Sequence, residues 1–484
     1  MNQSEITVMH VGSLIDGNEV TGGGRIRHEV RSPYNGELIG VVDFATGEDL
    51  EQAIQTAHRV FQQTMKKMPA HQRSEILRKA ADALEAQRED FAHLLSREAG
   101  KPIRDARGEV GRAVQVLRFA ADVAKANDGE LIKMDSAVGG ENRIGFARRY
   151  PVGVVAAITP FNFPLNLVLH KVAPAIAAGC TVVIKPAEKT PLSALKLARL
   201  LLQAGLPKGA LHVVMGTGPD LGEPLVTHPL VKKVTFTGSG PVGYKIKQLA
   251  GNKKVTLELG SNSPNLVFED ANLDAAISSI VTGGFAYAGQ ACISVQRIYV
   301  QRTLYQTFLD RLVPRVASLR VGNPAEETTD VGPLITEEAA VRVEQWVQEA
   351  VENGAKVLTG GKREGSIYHP TVLVDVKPDM KVVCQEVFGP VVVVIPFDTE
   401  EEAVSLANAS DYGLQAGVFT SDINRAFRLA DELETGGVWI NEVSTVRQDN
   451  YPYGGVKRSG IGKEGVKYAV EDMTEVKFIG VKLL

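Results

Sequence analysis

Cys292 stands in FAYAGQACISV, just after a Gly-Gln pair. A thiolate is a soft, strong nucleophile, and some is available at neutral pH from a thiol of pKa about 8.5. A buried cysteine acting as a small hydrophobe is the competing reading. Other polar residues follow short apolar runs. Asn162 lies in PFNFP, Lys185 and Glu188 in KPAEKTP, Gly238 to Gly243 in GSGPVG, and Glu258 at the end of VTLE. The GSGPVG turn suits an anion, because glycines permit close backbone approach and a helix N-terminus offers free N–H groups. It could equally be a plain strand-to-helix turn. A lysine and a carboxylate just past a strand suit ribose hydroxyls, and the carboxylate would repel a 2′-phosphate, favouring NAD over NADP. A solvated loop is the alternative for that pair.

These residues need elements to hold them. LDAAISSIVTGGFAYAG carries apolar residues at helical spacing, and SVQRIYVQ alternates like a strand. Gly289 suits the helix stop, so Cys292 falls on a helix-to-strand junction. Residues 50–65, 73–95 and 108–126 read as amphipathic helices. Then GVVAAIT, TVVIKP, LHVVMG, KVTFTG and NLVFED alternate with helical stretches, which argues for a parallel sheet covered on both faces. A similar alternation returns after Cys292. Ligands in such sheets bind beyond the carboxyl ends of the strands, where the polar residues above gather. The terminal EVKFIGVKLL reads as an edge strand.

Composition narrows the classes. The 484 residues suggest about three structural units, or two large ones. A net charge of −4 gives no electrostatic case for nucleic acid or an anionic membrane. No apolar run is long enough to span a bilayer, and the opening MNQSEITVMHVGSLIDG has no secretory pattern. Cys180, Cys292 and Cys384 are far apart, so neither a disulfide framework nor a zinc site is indicated and a cytoplasmic location is expected. Cys180 and Cys384 read as core or structural.

TPFNFP, KPAEKTP, FTGSGPVG, LELGSNSP, FAYAGQAC, EVFGP and YPYGGVKRSGIGKEG occur in one order and at spacings that resemble the aldehyde dehydrogenase superfamily over nearly the whole chain. The resemblance implies an α/β fold with an atypical Rossmann cofactor domain (1–128 and 147–257), an α/β catalytic domain (258–466) and a small β oligomerisation arm (129–146 and 467–484). It implies a homodimer or homotetramer. It makes Cys292 the nucleophile, Glu258 the general base of deacylation and Asn162 an oxyanion donor. NAD, with NADP possible, would be held by Lys185, Glu188, Gly218, Gly238, Ser239, Glu386 and Phe388. The common ELGGK is ELGSN here. Ala291 stands where non-phosphorylating glyceraldehyde-3-phosphate dehydrogenases often carry arginine. Glu258 argues for hydrolysis to a free acid rather than CoA acylation, and the intact Cys292, Glu258 and Asn162 set argues against a non-catalytic family member.

The resemblance also places Arg112 and Arg447 along the substrate tunnel, with His170 on a helix below it. Guanidinium suits carboxylate, phosphate or sulfonate. A small anionic or α-hydroxy aldehyde of the lactaldehyde, succinate-semialdehyde, sulfolactaldehyde or glyceraldehyde-3-phosphate type is therefore expected. Salt bridges are the competing role for both arginines, and helix packing or capping for His170.

Overall fold

A computed structural model describes residues 8–126 and 129–484. The leader reading bears partly on residues 1–7, which lie outside that range, as do 127 and 128 at the end of the first expected domain segment. Two large sheets carry the fold. The first has ten strands. Its parallel centre runs, side by side, Lys254–Glu258, Val231–Thr237, Val154–Ile158, Thr181–Lys185 and Leu211–Val213. Every residue of Val154–Ile158 and Thr181–Lys185 is buried, as expected of strands covered by helices on both faces.

The chain order of this sheet creates the site. From Val154–Ile158 the chain winds outward through Thr181–Lys185 and Leu211–Val213. It then returns to the other flank of Val154–Ile158 with Val231–Thr237. The crevice between the carboxyl ends of Val154–Ile158 and Val231–Thr237 is thus a topological switch point, where ligands bind in open α/β sheets.

The second sheet has seven strands, with Pro264–Val267, Arg297–Gln301, Val391–Phe397 and Gln415–Phe419 at its parallel centre. A third, three-stranded sheet pairs Thr474–Lys482 with Arg143–Pro151, and Arg143–Pro151 with Glu130–Ile132. The expected edge strand is therefore found, one residue longer toward the start than its C-terminal motif suggests. Val476, Phe478 and Val481 on it are exposed.

Helices differ from the sequence expectation in two places. The stretch read as one helix over 73–95 is two, Ala70–Ala86 and Arg88–Ala99, separated at Gln87. The helix before Cys292 is Leu273–Phe285 and does not reach Gly289. Tertiary contacts described below hold Tyr287 and Ala288 out of it. The following strand starts at Arg297, not Ser294. Cys180 is buried, but Cys384 is only half-buried, at the end of the short helix Lys381–Cys384, so the core reading holds for Cys180 alone. Among the described residues no helix is long and apolar enough to cross a membrane.

Candidate active site

The switch-point crevice opens into a cavity of about 330 Å³. Cys292, Glu258 and Asn162 all face it, from three separate elements. Gly238, Ser239, Glu386 and Phe388 line it too, as do Arg112, His170 and Arg447. Lys185, Glu188 and Gly218 do not; they lie along the strand-end edge beyond it.

Cys292 follows a left-handed turn. Tyr287 and Ala288 have φ of 47° and 52°, a conformation costing L-residues roughly 1–2 kcal/mol each. Three contacts hold the turn. The Tyr287 N–H donates to Asp105 at 3.1 Å, its hydroxyl to the Ala99 carbonyl at 2.7 Å, and its ring meets Phe163 edge-on. Gly289 continues the turn at φ 69°, with its α-carbon pressed against the backbone at Gly389, where a Cβ would collide with the carbonyl. This is why the glycine is there: it seats the nucleophile turn against the loop bearing Glu386 and Phe388.

Asn162 is fastened to the same turn, its Nδ2 donating to the Gln290 carbonyl at 2.9 Å. One amide N–H remains for a ligand. The loop is braced from below by a buried carboxylate. Glu109 accepts from the backbone N–H groups of Leu165 and Asn166, at 3.0 and 3.1 Å, capping the start of the buried helix Asn166–Ala178. Lys101 pairs with Glu109 and lies 3.8 Å from the Phe163 ring centre.

Glu258 is 2% exposed, and neither of its oxygens has a hydrogen-bond partner among the described residues. Burial, reinforced by the charge of Glu464, raises its carboxyl well above the ordinary range, against opposing effects of Arg447, Lys171 and Lys463. A buried carboxyl with no partner is rare and calls for a functional reason. The Cys292 thiol opens onto the cavity, yet the surrounding protein desolvates it and pushes its pKa to about 11; a hydrogen bond with Tyr453 and the charge of Arg447 oppose that rise. Sγ lies 3.2 Å from the Tyr453 hydroxyl.

Behind these groups is a buried ionic network. Glu464 receives Lys171 and Arg447, both at 2.8 Å. Asp449 receives Arg112 at 3.1 Å and lies 3.5 Å from Arg447 Nε. His170 sits between them, its Nε2 2.8 Å from Asp449 but off the line of a hydrogen bond, and its Nδ1 3.1 Å from an Arg447 nitrogen. Burial opposes ionisation of both carboxyls. Their partners prevail: Lys171, His170 and Arg447 hold Glu464 well below the ordinary carboxylate range, and His170, Arg112 and Arg447 do the same for Asp449. Each arginine is salt-bridged, and each also lines the cavity.

The strand-end edge fits a dinucleotide. Ser239, which lines the cavity, precedes the helix Gly240–Leu249, and a helix N-terminus suits an anion. The Cβ positions of Gly218 and Gly240 meet open space. Lys185 pairs with Glu188 at 3.0 Å and donates to the Gly216 carbonyl at 2.9 Å. Glu386 accepts from the Ser261 N–H at 2.9 Å, and burial raises its pKa to about 7.

Sequence reasoning missed Tyr453, Asp449, Glu464, Glu109 and Lys101. The acidic residues gave one usable sign: Asp449 and Glu464 flank the YPYGG segment beside Arg447, in a stretch that must lie near the site. Tyr453 gave none, because its role depends on a contact across more than a hundred residues.

Comparison with known proteins agrees with this geometry. The model of the aldehyde dehydrogenase family matches residues 20–479. A 3-sulfolactaldehyde dehydrogenase of Priestia aryabhattai is 50% identical over 455 residues, spanning 94% of this chain and 95% of the relative. The crystal structure of aldehyde dehydrogenase 21 from Physcomitrella patens, in complex with the reaction product succinate, superposes with a TM-score of 0.96 at 41% identity, covering 99% of each chain. A glyceraldehyde-3-phosphate dehydrogenase from Methanocaldococcus jannaschii, complexed with NADP, gives 0.91 at 42% identity, covering 95% of this chain and 100% of that one.

Proposed function

The chain belongs to the aldehyde dehydrogenase family, oxidising aldehydes with NAD(P), and from that premise we propose that its substrate is a small anionic or α-hydroxy aldehyde and that Cys292, Glu258 and Asn162 perform the chemistry. Cys292 Sγ attacks the carbonyl carbon. The oxyanion that forms is met by the free Asn162 amide N–H and the Cys292 backbone N–H, donors fixed before reaction. A dinucleotide held there would supply the hydride acceptor, and the oxidised substrate would remain on Cys292 as a thioester. Glu258 then takes a proton from the water that releases the acid; its empty, buried oxygens are free to hold that water.

Gly238, Ser239, Glu386 and Phe388 would hold the cofactor at the crevice, with Lys185, Glu188 and Gly218 at its outer end. Glu188 favours NAD over NADP, as a fixed carboxylate repels a 2′-phosphate.

One observation carries the substrate class: two guanidinium groups, Arg112 and Arg447, line the cavity beside Cys292. They suit an anion at the far end of the substrate. The two aldehydes named for these relatives, sulfolactaldehyde and glyceraldehyde 3-phosphate, carry an anionic group remote from the aldehyde, and the product named for the third, succinate, has two carboxylates; this supports the same class. NADH formation with an aldehyde panel, with and without CoA, tests the reading. Sulfolactaldehyde, succinate semialdehyde or glyceraldehyde 3-phosphate should be preferred over propanal, with no CoA requirement. A clear preference for neutral aldehydes would count against it.

We assign residues 1–128 and 147–257 to the cofactor domain, 258–466 to the catalytic domain, and 129–146 with 467–484 to an arm. Exposed Val476, Phe478 and Val481 on the arm suit assembly into a homodimer or homotetramer. Free cysteines fit a reducing cytoplasm.

A further inference from the structure

Tyr453 is 1% exposed and lines the cavity. Its backbone is fixed by a two-way bridge to Glu464, with N–H to carbonyl distances of 3.0 and 2.6 Å. Its ring lies 3.6 Å under the Arg447 guanidinium. Its hydroxyl has one hydrogen-bond partner among the described residues, Cys292 Sγ at 3.2 Å. A thiolate carries no proton, so in that state the hydroxyl must be the donor. The cation over the ring face is placed to strengthen that donation.

We propose that Tyr453 is a catalytic residue: its hydroxyl donates to the Cys292 thiolate before attack, then transfers that hydrogen bond to the oxygen on the substrate's α-carbon. The proposal rests on Cys292 being the nucleophile. The reason for the transfer is the fate of a buried donor. On attack, the sulfur lone pair becomes the new C–S bond, the carbonyl π pair moves onto oxygen, and Tyr453 keeps its proton. Sulfur bonded to carbon is a poor acceptor, so the hydroxyl would be stranded in a dry site, which is costly. An α-hydroxyl oxygen is two bonds from the carbon that Sγ has just joined; the oxyanion, one bond away, is turned to the Asn162 amide and the Cys292 N–H, so the α-oxygen is the next acceptor within reach. A 2-deoxy aldehyde offers none. The charged and titratable groups facing Sγ are Tyr453, Arg447, Glu386 and Glu258. Of these only Tyr453 touches sulfur. Burial keeps its phenol well above the ordinary range, so it retains the proton it must donate.

Tyr453→Phe keeps the ring beneath Arg447 and removes only the hydroxyl. The first readout is the rate of Cys292 alkylation by iodoacetamide at one fixed, near-neutral pH, with the modified residue identified by peptide mass. Loss of a hydrogen bond to a charged group lowers the thiolate fraction and should slow alkylation by about ten- to a hundredfold. An unchanged rate overturns the donor role. The second readout is kcat/KM for lactaldehyde against propanal, where the variant should lose about tenfold more on lactaldehyde. Equal losses on the two overturn the transfer. Alkylation needs neither aldehyde nor dinucleotide, so its failure is separable from failure of the nucleophile assignment, which turnover by Cys292→Ala reports.

Discussion

Arg447 and Glu464 are paired at 2.8 Å, and their side chains are only 6% and 3% exposed. Such a pair is a scaffold as much as a binding site. Removing one partner of a buried pair typically costs about 3–5 kcal/mol, because the other charge is left uncompensated. Arg447→Ala should therefore lower Tm and damage turnover of charged and neutral aldehydes alike. Arg112 differs: its side chain is 32% exposed. Arg112→Ala should raise KM about tenfold for an anionic aldehyde, the worth of a hydrogen bond to a charged group, and hardly change it for propanal. Steady-state kinetics on both substrates with a thermal melt on each variant separates the two roles. A parallel KM rise for both aldehydes in Arg112→Ala would leave the anion unrecognised by this residue.

Glu258→Gln should slow deacylation more than acylation. A burst of NADH should precede a slow steady state in stopped-flow absorbance. Unchanged steady-state turnover without a burst would remove the base from Glu258.

The same residue sets a pH dependence. Its carboxyl is raised well above the ordinary range by burial and Glu464, and a general base works only when ionised. Deacylation should therefore rise with pH through a midpoint above the ordinary carboxylate range. In the stability sense the sign is opposite. A group held neutral on folding favours the fold below its unfolded pKa, and that contribution is lost as pH rises through the folded value. A deacylation profile flat from acid to neutral pH would contradict the raised pKa.

Asn162→Ala should reduce kcat by roughly 10²–10³-fold, the usual loss for one oxyanion donor. It also cuts the tie to the Gln290 carbonyl, so alkylation of Cys292 should be measured alongside. A loss of less than about threefold would place the oxyanion elsewhere, given the usual size of the effect.

Glu188→Ser should narrow the preference for NAD, read as the ratio of kcat/KM with each dinucleotide. Equal or better efficiency with NADP in the unmutated enzyme would refute the role given to that carboxylate.

How far the sequence carried the account follows from the range of each interaction. The buried strands Val154–Ile158 and Thr181–Lys185 announce themselves as apolar runs, and the polar residues beyond them mark the ligand edge, because both features are local. The end of the helix before Cys292 was not legible. Phe-Ala-Tyr-Ala continues a helical pattern, and only contacts from Asp105, Ala99 and Phe163 turn Tyr287 left-handed. The break at Gln87 carries no glycine or proline to signal it. The arginines came from the family resemblance, but their partners did not, since Asp449 meets Arg112 across 337 positions. The Tyr453 hydroxyl escaped for the same reason.

The most direct test of the account is NADH formation by Cys292→Ala, assayed on an aldehyde that the unmutated enzyme oxidises and under conditions where the variant still binds NAD. Turnover should vanish, because no other group at the cavity can form the thioester. Appreciable NADH formation by that variant would take Cys292 out of the mechanism, and the roles given to Glu258, Asn162 and Tyr453 would fall with it.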